Sequence, residues 1–385
     1  MGVAPAHSGP NTDHKLTSSS GDQQQALIGT INNNIPSPYN AKKKNSDASP
    51  GYNNHPKIVG FGRHDTTGDG FGDLVGFGRS GVWVAVNNSN GNSASAFQAG
   101  TLVIPDFGSD QGWRCDRHLR LMLDLTGDGR ADILGFGGAG VLVSKNNGDG
   151  TFGPAELASN HFGYNTSGGG WKVDTHPRIL FDANGDGLPD IYGFGHPGVY
   201  LSINNLTVDS TFKSPTLVVE DFGYTSGWRV DRHPRFVVDL TGNGTGDIVG
   251  FGDAGIFVSL NDGNGNFSPV TRVVDDFAYK AGGWRVEKHL RFLADTTGDG
   301  RPDIVGFGTG GVLTSINNGD GTFASTRGRM VLADFGYNQG WRVDEHPRFL
   351  ADLTGDGRVD IIGIKDDGIY VSLNNGSGRF GPVRK

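Results

Sequence analysis

The sequence predicts an all-β protein, a β-propeller built from four-stranded blades. One pattern that starts with an Asp-rich loop recurs at intervals of 56 to 59 residues, and a small sheet repeated at such an interval is typical of propeller blades. Glycine accounts for 65 of the 385 residues, which disfavours helices because each interior glycine costs about 1 kcal/mol relative to alanine. No segment sustains the apolar period of an amphipathic helix. A β-solenoid is the alternative, although its coils are usually shorter.

Each repeat predicts four strands in a fixed order. The Asp-rich loop, as in residues 124–132, leads into a short strand that ends in Gly-Phe-Gly, and an alternating strand such as residues 198–203 follows. A turn of Asn, Gly and Asp, as in residues 317–323, leads to a strand rich in Leu and Val. That strand ends at Asp-Phe-Gly-Tyr. The segment Gly-Trp-Arg-Val-Asp-x-His-Pro-Arg, as in residues 340–348, then leads into the next Asp-rich loop.

Six Asp-rich loops predict six blades, with seven as the alternative. In this interpretation residues 26–385 form one propeller domain. The last repeat lacks its fourth strand, and residues 26–31 resemble it, so we expect an N-terminal strand to close the ring and remove two exposed sheet edges. Residues 1–25 are polar and are predicted to be disordered, and residues 35–54 are predicted to form an irregular loop.

Composition and charge exclude several classes of partner. The formal net charge is −8, whereas a general nucleic-acid binder needs a basic face. The apolar runs are far shorter than the ~20 residues that span a bilayer, so no membrane insertion is expected. Cys115 is the single cysteine, which excludes an intramolecular disulfide. The first residues lack the features of a secretory signal, which leaves a cytoplasmic location and export by another route both open.

The Asp-rich loops are candidate calcium sites. Loop three, residues 182–190, places oxygen side chains at loop positions 1, 3, 5 and 9 with a glycine after position 5. This spacing resembles the first part of an EF-hand loop and offers the oxygen ligands that Ca²⁺ prefers. Position 3 is Thr in the other five loops, and Asn243 replaces Asp at position 5 of the fourth, so loop three is the most favourable site. The alternative is a metal-free turn in which Asp accepts backbone N–H bonds.

The candidate calcium ligands take positions 1, 3, 5 and 9 of each loop. They are Asp65, Thr67, Asp69, Asp73, Asp124, Thr126, Asp128, Asp132, Asp182, Asn184, Asp186, Asp190, Asp239, Thr241, Asn243, Asp247, Asp295, Thr297, Asp299, Asp303, Asp352, Thr354, Asp356 and Asp360.

A second recurring group surrounds tryptophan. Five repeats carry Trp and His five residues apart with Arg or Lys directly after the Trp, and four of them have an Asp before the upstream Phe. An aromatic face beside hydrogen-bonding groups suits a sugar ring, and the alternative is packing of blade on blade. The candidate sugar-binding residues are Asp106, Trp113, Arg114, His118, Trp171, Lys172, His176, Asp221, Trp228, Arg229, His233, Asp276, Trp284, Arg285, His289, Asp334, Trp341, Arg342 and His346.

Repetition argues against catalysis. An active site needs one asymmetric set of nucleophile, base and orienting group, whereas Asp and His recur here as copies. The sequence therefore predicts a binding protein and not an enzyme, with several similar sites whose avidity can exceed single-site affinity by ~10²–10⁴. The first unit is shortened and lacks Trp, so we expect at most five sites.

The combined repeat resembles a known family. Asp-Phe-Gly-Tyr-x-x-Gly-Trp-Arg-Val-Asp-x-His-Pro-Arg, followed by Asp-Leu-Thr-Gly-Asp-Gly and by Gly-Phe-Gly, resembles the repeats of the Psathyrella velutina lectin family over residues 55–385. The resemblance implies a fungal propeller lectin with integrin-like FG-GAP repeats, calcium in the Asp loops, and N-acetylglucosamine or sialylated glycans bound between neighbouring blades. It also implies that the Trp–His stretches line the sugar sites. The relative has seven blades, whereas six loops are present here.

Two other functions are considered from the sequence. An integrin-like, calcium-stabilised propeller that binds a protein partner would expose an apolar patch on one face. A glycan-cleaving enzyme would carry one blade-specific pair of acidic residues, and the repeats provide no such pair.

Overall fold

Six antiparallel sheets, arranged in a ring, form the blades of a β-propeller. The computed structural model describes residues 65–69, 72–87 and 97–385. Within these residues, no helix is both long and apolar enough to cross a membrane. Short 3₁₀ helices occur at Ser109–Gln111, Thr166–Gly168 and Tyr337–Gln339. The all-β class and the count of six blades confirm the prediction from the repeats.

The strands follow one another as antiparallel meanders. Blade 1 contains β1 (Leu74–Phe77), β2 (Val82–Ala85) and β3 (Thr101–Ile104). Blade 2 contains β4 (Arg120–Leu123), β5 (Asp132–Phe136), β6 (Val141–Ser144) and β7 (Glu156–Ser159). Blade 3 contains β8 (Arg178–Phe181), β9 (Asp190–Phe194), β10 (Val199–Ser202) and β13 (Thr216–Val219), with a small hairpin of β11 (Asn204–Asn205) and β12 (Thr211–Phe212) inserted before its last strand.

The second half of the ring repeats this arrangement. Blade 4 contains β14 (Arg235–Val238), β15 (Asp247–Phe251), β16 (Ile256–Ser259) and β17 (Thr271–Val274). Blade 5 contains β18 (Leu290–Ala294), β19 (Asp303–Phe307), β20 (Val312–Ser315) and β21 (Arg329–Leu332). Blade 6 contains β22 (Arg348–Ala351), β23 (Asp360–Lys365) and β24 (Gly368–Ser372).

Burial along each blade shows which strands lie at the centre of the ring. All four residues of β8 and of β14 are buried, and these first strands of consecutive blades contact each other. The fourth strands β7, β13 and β17 are each exposed at their first residue and buried only towards their last. The first strands therefore line the inside of the ring, and the fourth strands form its rim.

Closure of the ring by residues 26–31 lies outside the described residues, as do the predicted disordered segment 1–25 and the irregular loop 35–54. At the other end of the chain, Val371 and Arg384 form an antiparallel bridge. This bridge places the last residues on the outer edge of β24, where blades 2 to 5 carry their fourth strand.

The meander separates two kinds of loop at opposite ends of the blades. The Asp-rich loops, between first and second strands, and the Asn-Gly-Asp turns, between third and fourth strands, share one end. The hairpins after Gly-Phe-Gly share the other end with the Trp–His segments that connect consecutive blades. The two sets of candidate site residues therefore lie at opposite ends of the propeller.

In blade 2, two glycines permit close packing at the second end. A Cβ on Gly140, which has a φ of 157°, would lie 1.9 Å from the carbonyl oxygen of Ser159 on the rim strand. A Cβ on Gly135 would lie 2.4 Å from the indole ring of Trp113. Both distances are too short for any side chain. Gly140 therefore lets the hairpin approach the rim strand, and Gly135 of Gly-Phe-Gly lets Trp113 pack on the blade.

Candidate functional site

The Asp-Phe-Gly turn holds a tryptophan in place. Asp221 Oδ1 accepts hydrogen bonds from the backbone N–H of Phe222 at 2.6 Å and from Trp228 Nε1 at 2.8 Å. Phe222 has a left-handed φ of 59°, which costs about 1–2 kcal/mol for a residue with a side chain, and Arg235 Nη1 donates to its carbonyl oxygen. The aspartate therefore offsets backbone strain and orients the indole. The equivalent Asp–Trp pairs are Asp106 with Trp113, Asp276 with Trp284, and Asp334 with Trp341.

Four of the five candidate tryptophans are buried. The exposed fraction is 6% for Trp113 and Trp228, 4% for Trp284 and 1% for Trp341. Trp171 is half-buried, and its repeat has His161 in place of the clamping aspartate. Protein covers these four indoles. The alternative in which the tryptophans pack blade on blade therefore describes them.

The candidate histidines are held in one tautomer. Nδ1 of His233 accepts the backbone N–H of Arg229 at 3.1 Å. Because Nδ1 accepts, the neutral ring carries its proton on Nε2 and presents a hydrogen-bond donor there. Burial lowers the pKa of this ring, and it lowers the pKa of three others to about 4, so that all four are neutral at pH 7. Those three are His118, His176 and His289.

The same backbone bond recurs in all five repeats that carry the Trp–His pair. The further donor–acceptor pairs are Arg114 with His118, Lys172 with His176, Arg285 with His289 and Arg342 with His346.

Four of these histidines belong to groups that we call inter-blade clusters. A cluster contains the histidine, the residue directly after Gly-Phe-Gly in the same blade, and the tyrosine two residues after the left-handed Phe of the turn that leads to the next blade. The clusters, named by their histidines, are His118 with Gly138 and Tyr164, His176 with His196 and Tyr224, His233 with Asp253 and Tyr279, and His289 with Thr309 and Tyr337.

Folding brings cluster members together from distant parts of the chain. In the His233 cluster, Nε2 lies 3.0 Å from Asp253 Oδ1, and the ring centroids of His233 and Tyr279 are 6.3 Å apart. In the His118 cluster, the centroids of His118 and Tyr164 are 6.0 Å apart. The fifth histidine, His346, forms no ring contact with a tyrosine in the described part of the chain.

The tyrosines are not among the site residues predicted from the repeats, although one recurs at the same position in four repeats. A guanidinium of the same repeat stacks on three of them, with its carbon 3.6 to 3.8 Å from the ring centroid. These pairs are Arg229 with Tyr224, Arg285 with Tyr279, and Arg342 with Tyr337. Arg114 and Lys172 are exposed. The repeat of Arg114 has Ser109 at the position of the tyrosine, and the ring of Tyr164, in the repeat of Lys172, is approached by Arg117 instead.

An exposed cation from the Trp–His segment of the preceding repeat also approaches three of the tyrosine rings. The charged group lies 5.1 to 5.3 Å from the ring centroid. The pairs are Arg117 with Tyr164, Arg232 with Tyr279, and Lys288 with Tyr337. These cations precede the histidine directly in sequence and are not among the site residues predicted from the repeats.

The Asp-rich loops form a hydrogen-bonded network at the opposite end. In loop three, Asp182 accepts backbone N–H bonds from residues 184, 185 and 187. Asp190 accepts N–H bonds from Ala183 and Asn204, and burial raises its pKa to about 7. The Asn204 amide donates to the carbonyl oxygen of Leu125 in the preceding blade. The loops therefore connect neighbouring blades through their carboxylates and amides.

The charge at loop position 5 differs between loops. An arginine at position 7 pairs with the position-5 aspartate in loops two, five and six, at 2.5 to 2.7 Å. Those pairs are Arg130 with Asp128, Arg301 with Asp299, and Arg358 with Asp356. In loop three position 7 is Leu188, and Asp186 accepts the Asn184 amide at 2.9 Å. Among the described residues, no group of three or more His, Cys, Asp or Glu side chains is arranged to hold a metal ion.

The chain is similar to known carbohydrate-binding and FG-GAP proteins. The family of FG-GAP-like repeats matches residues 124–193. A solved structure of an Agrocybe aegerita lectin, described as specifically recognising non-reducing terminal N-acetylglucosamine, is 49% identical, covers 86% of this chain and 79% of its own, and has a TM-score of 0.80. The Tc holotoxin pore of Photorhabdus luminescens is 18% identical over 83% of this chain and 14% of its own, with a TM-score of 0.52, which shows the fold alone. No curated protein matches the chain.

These observations define a propeller of the lectin class, with FG-GAP-like repeats. The chain belongs to the family of the Agrocybe aegerita lectin. Because that relative is a lectin, the similarity supports the prediction of a binding protein without catalysis. The particular resemblance to the Psathyrella velutina lectin continues to depend on the repeat motif.

Proposed function

We propose that the chain is a multivalent lectin that binds glycans ending in N-acetylglucosamine at its inter-blade clusters. The observation that carries this proposal is the 49% identity with a lectin that recognises terminal N-acetylglucosamine. The repetition of the clusters in consecutive blades supports several sites per chain. Each site is weak on its own, and avidity on a glycan surface supplies the useful affinity.

The clusters offer the groups that a neutral sugar requires. A histidine with its proton on Nε2 is a neutral donor for a hydroxyl or N-acetyl oxygen. The tyrosine ring, stacked on one face by an arginine in three repeats, offers its edge or its other face to sugar C–H groups. Of the candidate residues, the histidines and cations contact the sugar in this proposal, whereas the buried Trp and Asp side chains position them.

Sialylated glycans are proposed as a second ligand. Arg117, Arg232 and Lys288 are exposed and lie within 5.1 to 5.3 Å of a cluster tyrosine. An exposed cation beside an aromatic ring suits a sugar carboxylate, which pairs with the cation while the sugar ring packs on the tyrosine. The His176 cluster has Thr175 at the equivalent position, so it favours neutral sugars in this proposal.

Calcium binding is proposed for loop three. In loops two, five and six an arginine already neutralises the position-5 carboxylate. Loop three has no such cation, and a half-turn of the Asn184 amide would place its oxygen beside Asp186 Oδ2. Asp182, Asn184 and Asp186 would then hold the ion, whose charge would stabilise this acidic turn.

Isothermal titration calorimetry tests the lectin proposal. N-acetylglucosamine is expected to bind the full chain with more than one site, whereas galactose is expected to release little heat. Tyr279→Ala is expected to lower the number of sites by one. Val208→Ala, which changes an 80% exposed residue of the β11–β12 hairpin, serves as the matched control. Absence of binding by the folded chain to either N-acetylglucosamine or a sialylated glycan would refute the proposal.

A further inference from the structure

The inter-blade clusters differ in what accepts the histidine Nε2–H. In the His233 cluster the acceptor is Asp253 Oδ1 at 3.0 Å, and Lys280 Nζ binds the other carboxylate oxygen of Asp253 at 2.7 Å. In the His289 cluster the acceptor is Thr309 Oγ1, also at 3.0 Å. Both acceptors occupy the hairpin position directly after Gly-Phe-Gly. In these two clusters, a side chain of the protein already accepts the hydrogen bond from the Nε2–H that a sugar oxygen would otherwise accept.

The His176 cluster leaves the same donor without an acceptor. His176 is 5% exposed, and among the described residues its buried Nε2 makes no hydrogen bond. Its hairpin residue is His196, whose exposed ring lies edge-on with its centroid 4.8 Å from that of His176. The ring centroid of Tyr224 lies 5.4 Å from that of His196.

A buried donor without an acceptor is unusual in proteins and costs free energy until a partner arrives. The Nδ1 bond from the backbone of Lys172 fixes the tautomer, so the His176 ring cannot relieve the problem by moving its proton. The ring is also neutral near pH 7, because burial lowers its pKa to about 4. A neutral oxygen acceptor from a ligand is therefore the group that completes this cluster.

We propose that the hairpin residue after Gly-Phe-Gly grades the sugar affinity of the clusters, and that the His176 cluster is the tightest of them. Its Nε2–H donates to the carbonyl oxygen of the N-acetyl group of a terminal N-acetylglucosamine. Asp253 and Thr309 weaken their clusters because the same oxygen must compete with an acceptor already in place. This inference rests on the proposed lectin function and names the residue that makes the sites unequal.

The difference in affinity follows from the cost of the unpaired donor. Satisfying a buried donor that was left without a partner strengthens binding roughly tenfold or more relative to exchanging one acceptor for another. The His118 cluster has Gly138 at the hairpin position and a half-buried histidine. Water reaches a half-buried ring, so this cluster is expected to bind with an affinity between the two extremes.

Site-resolved nuclear magnetic resonance measures the grading directly. The full chain, labelled with ¹³C at the histidine Cε1, gives one signal per histidine, which single substitutions assign. During titration with N-acetylglucosamine, the His176 signal is expected to saturate at a concentration roughly tenfold below that for His233 and His289. Replacing the N-acetyl sugar by glucose is expected to remove this difference in saturating concentration between His176 and the other two histidines.

Two variants exchange the hairpin residues. His196→Asp copies the arrangement of Asp253 and is expected to raise the Kd of the His176 site roughly tenfold. Asp253→Gly frees the His233 donor and is expected to lower the Kd of that site. Asp320→Asn, in the turn at the opposite end of blade 5, is the control that leaves all sites unchanged. Unaltered signals of histidines outside the changed cluster show that each variant is folded.

Three outcomes separate the inference from the proposed function. A tighter His176 site that His196→Asp weakens supports the inference. Saturation of all clusters at one concentration, or no effect of His196→Asp, overturns the grading while leaving the chain a lectin. If no histidine signal moves with N-acetylglucosamine or glucose, the proposed function fails, and the inference fails with it.

Discussion

Arg348 shows how one buried side chain connects two blades. It is 1% exposed, and its Nη1 donates to the carbonyl oxygen of Phe335 at 2.9 Å. The guanidinium carbon lies 5.6 Å from the ring centroid of Phe307 in blade 5. Within the described residues no carboxylate forms a salt bridge with it, and burial lowers its pKa to about 10. The aromatic face and the carbonyl therefore take the place of a counter-ion.

Arg348→Ala is expected to destabilise the propeller by about 3 kcal/mol. The substitution leaves the Phe335 carbonyl without its donor and opens a cavity between blades. Denaturant unfolding followed by tryptophan fluorescence measures the change. Arg379→Ala, at an exposed position in blade 6, is the control and is expected to shift the midpoint little. Equal midpoints for the two variants would show that Arg348 does not support the interface.

The cluster histidines are expected to titrate far below the ordinary value of about 6.5. Burial lowers the pKa of His176 and His289 to about 4. Between pH 6.5 and 4 the unfolded chain therefore binds these protons and the folded chain does not, so each ring lowers stability as the pH falls through this window. Buried Asp190 and Asp247 have pKa values raised to about 7 and act in the opposite direction.

Because these two effects on stability oppose each other, the histidines are best followed individually. A pH titration of the Cε1–H resonances is expected to give apparent pKa values near 4 for His176 and His289, and a higher value for an exposed histidine. Values near 6.5 for both cluster histidines would mean that they are solvated and able to carry charge at mildly acidic pH.

At the scale of elements, the Asn-Gly-Asp turn links each blade to the one before it. The side-chain amide of Asn261 donates to the carbonyl oxygen of Ala183, 2.8 Å away in the preceding repeat, and its oxygen accepts the N–H of Gly263 and Gly265. The same contact across repeats is made by Asn146, Asn204, Asn317 and Asn374. The turn residues that suggested a simple hairpin therefore also hold the ring together.

Asn261→Ala is expected to lower the free energy of unfolding by about 2 kcal/mol, since it strands a buried carbonyl and the turn amides. Asn266→Ala in the same turn removes only a local bond to Asp262 and provides the comparison. Thermal unfolding of the two variants measures the difference. A smaller effect for Asn261→Ala than for Asn266→Ala would contradict the connecting role.

Loop three is expected to be the metal-dependent element. Asp186→Asn removes a position-5 carboxylate that, unlike those of loops two, five and six, has no arginine partner in its own loop. We expect this change to abolish the rise in melting temperature that Ca²⁺ gives, whereas Asp128→Asn in loop two leaves that rise intact. Differential scanning fluorimetry with calcium and with a chelator measures it. Equal loss in both variants would mean that several loops bind the ion.

At the scale of the whole molecule, the repeat made the fold predictable from sequence. Six copies of one pattern predicted six blades, and the antiparallel order of strands followed from the turn residues. The site was less predictable, because each cluster joins two repeats. His118 and Tyr164, or His176 and His196, become neighbours only when the hairpin and the next turn fold onto the same end of a blade.

The tryptophans show the other limit of sequence reasoning. A Trp that recurs in five repeats can face a ligand or the core, and the pattern is the same in both cases. The glycines of Gly-Phe-Gly decide between them, since Gly250 has no side chain and Trp228 packs on it. A buried indole and its Asp221 partner thus determine where the neighbouring histidine lies.

A crystal structure with N-acetylglucosamine decides where the sugar binds. We expect sugar density in more than one inter-blade cluster, with an oxygen of the sugar accepting a hydrogen bond from the Nε2–H of His176. We expect none at the Asp-loop end of the propeller. Sugar bound at that end, or at a single site unrelated to the repeats, would show that the inter-blade clusters are not the binding sites.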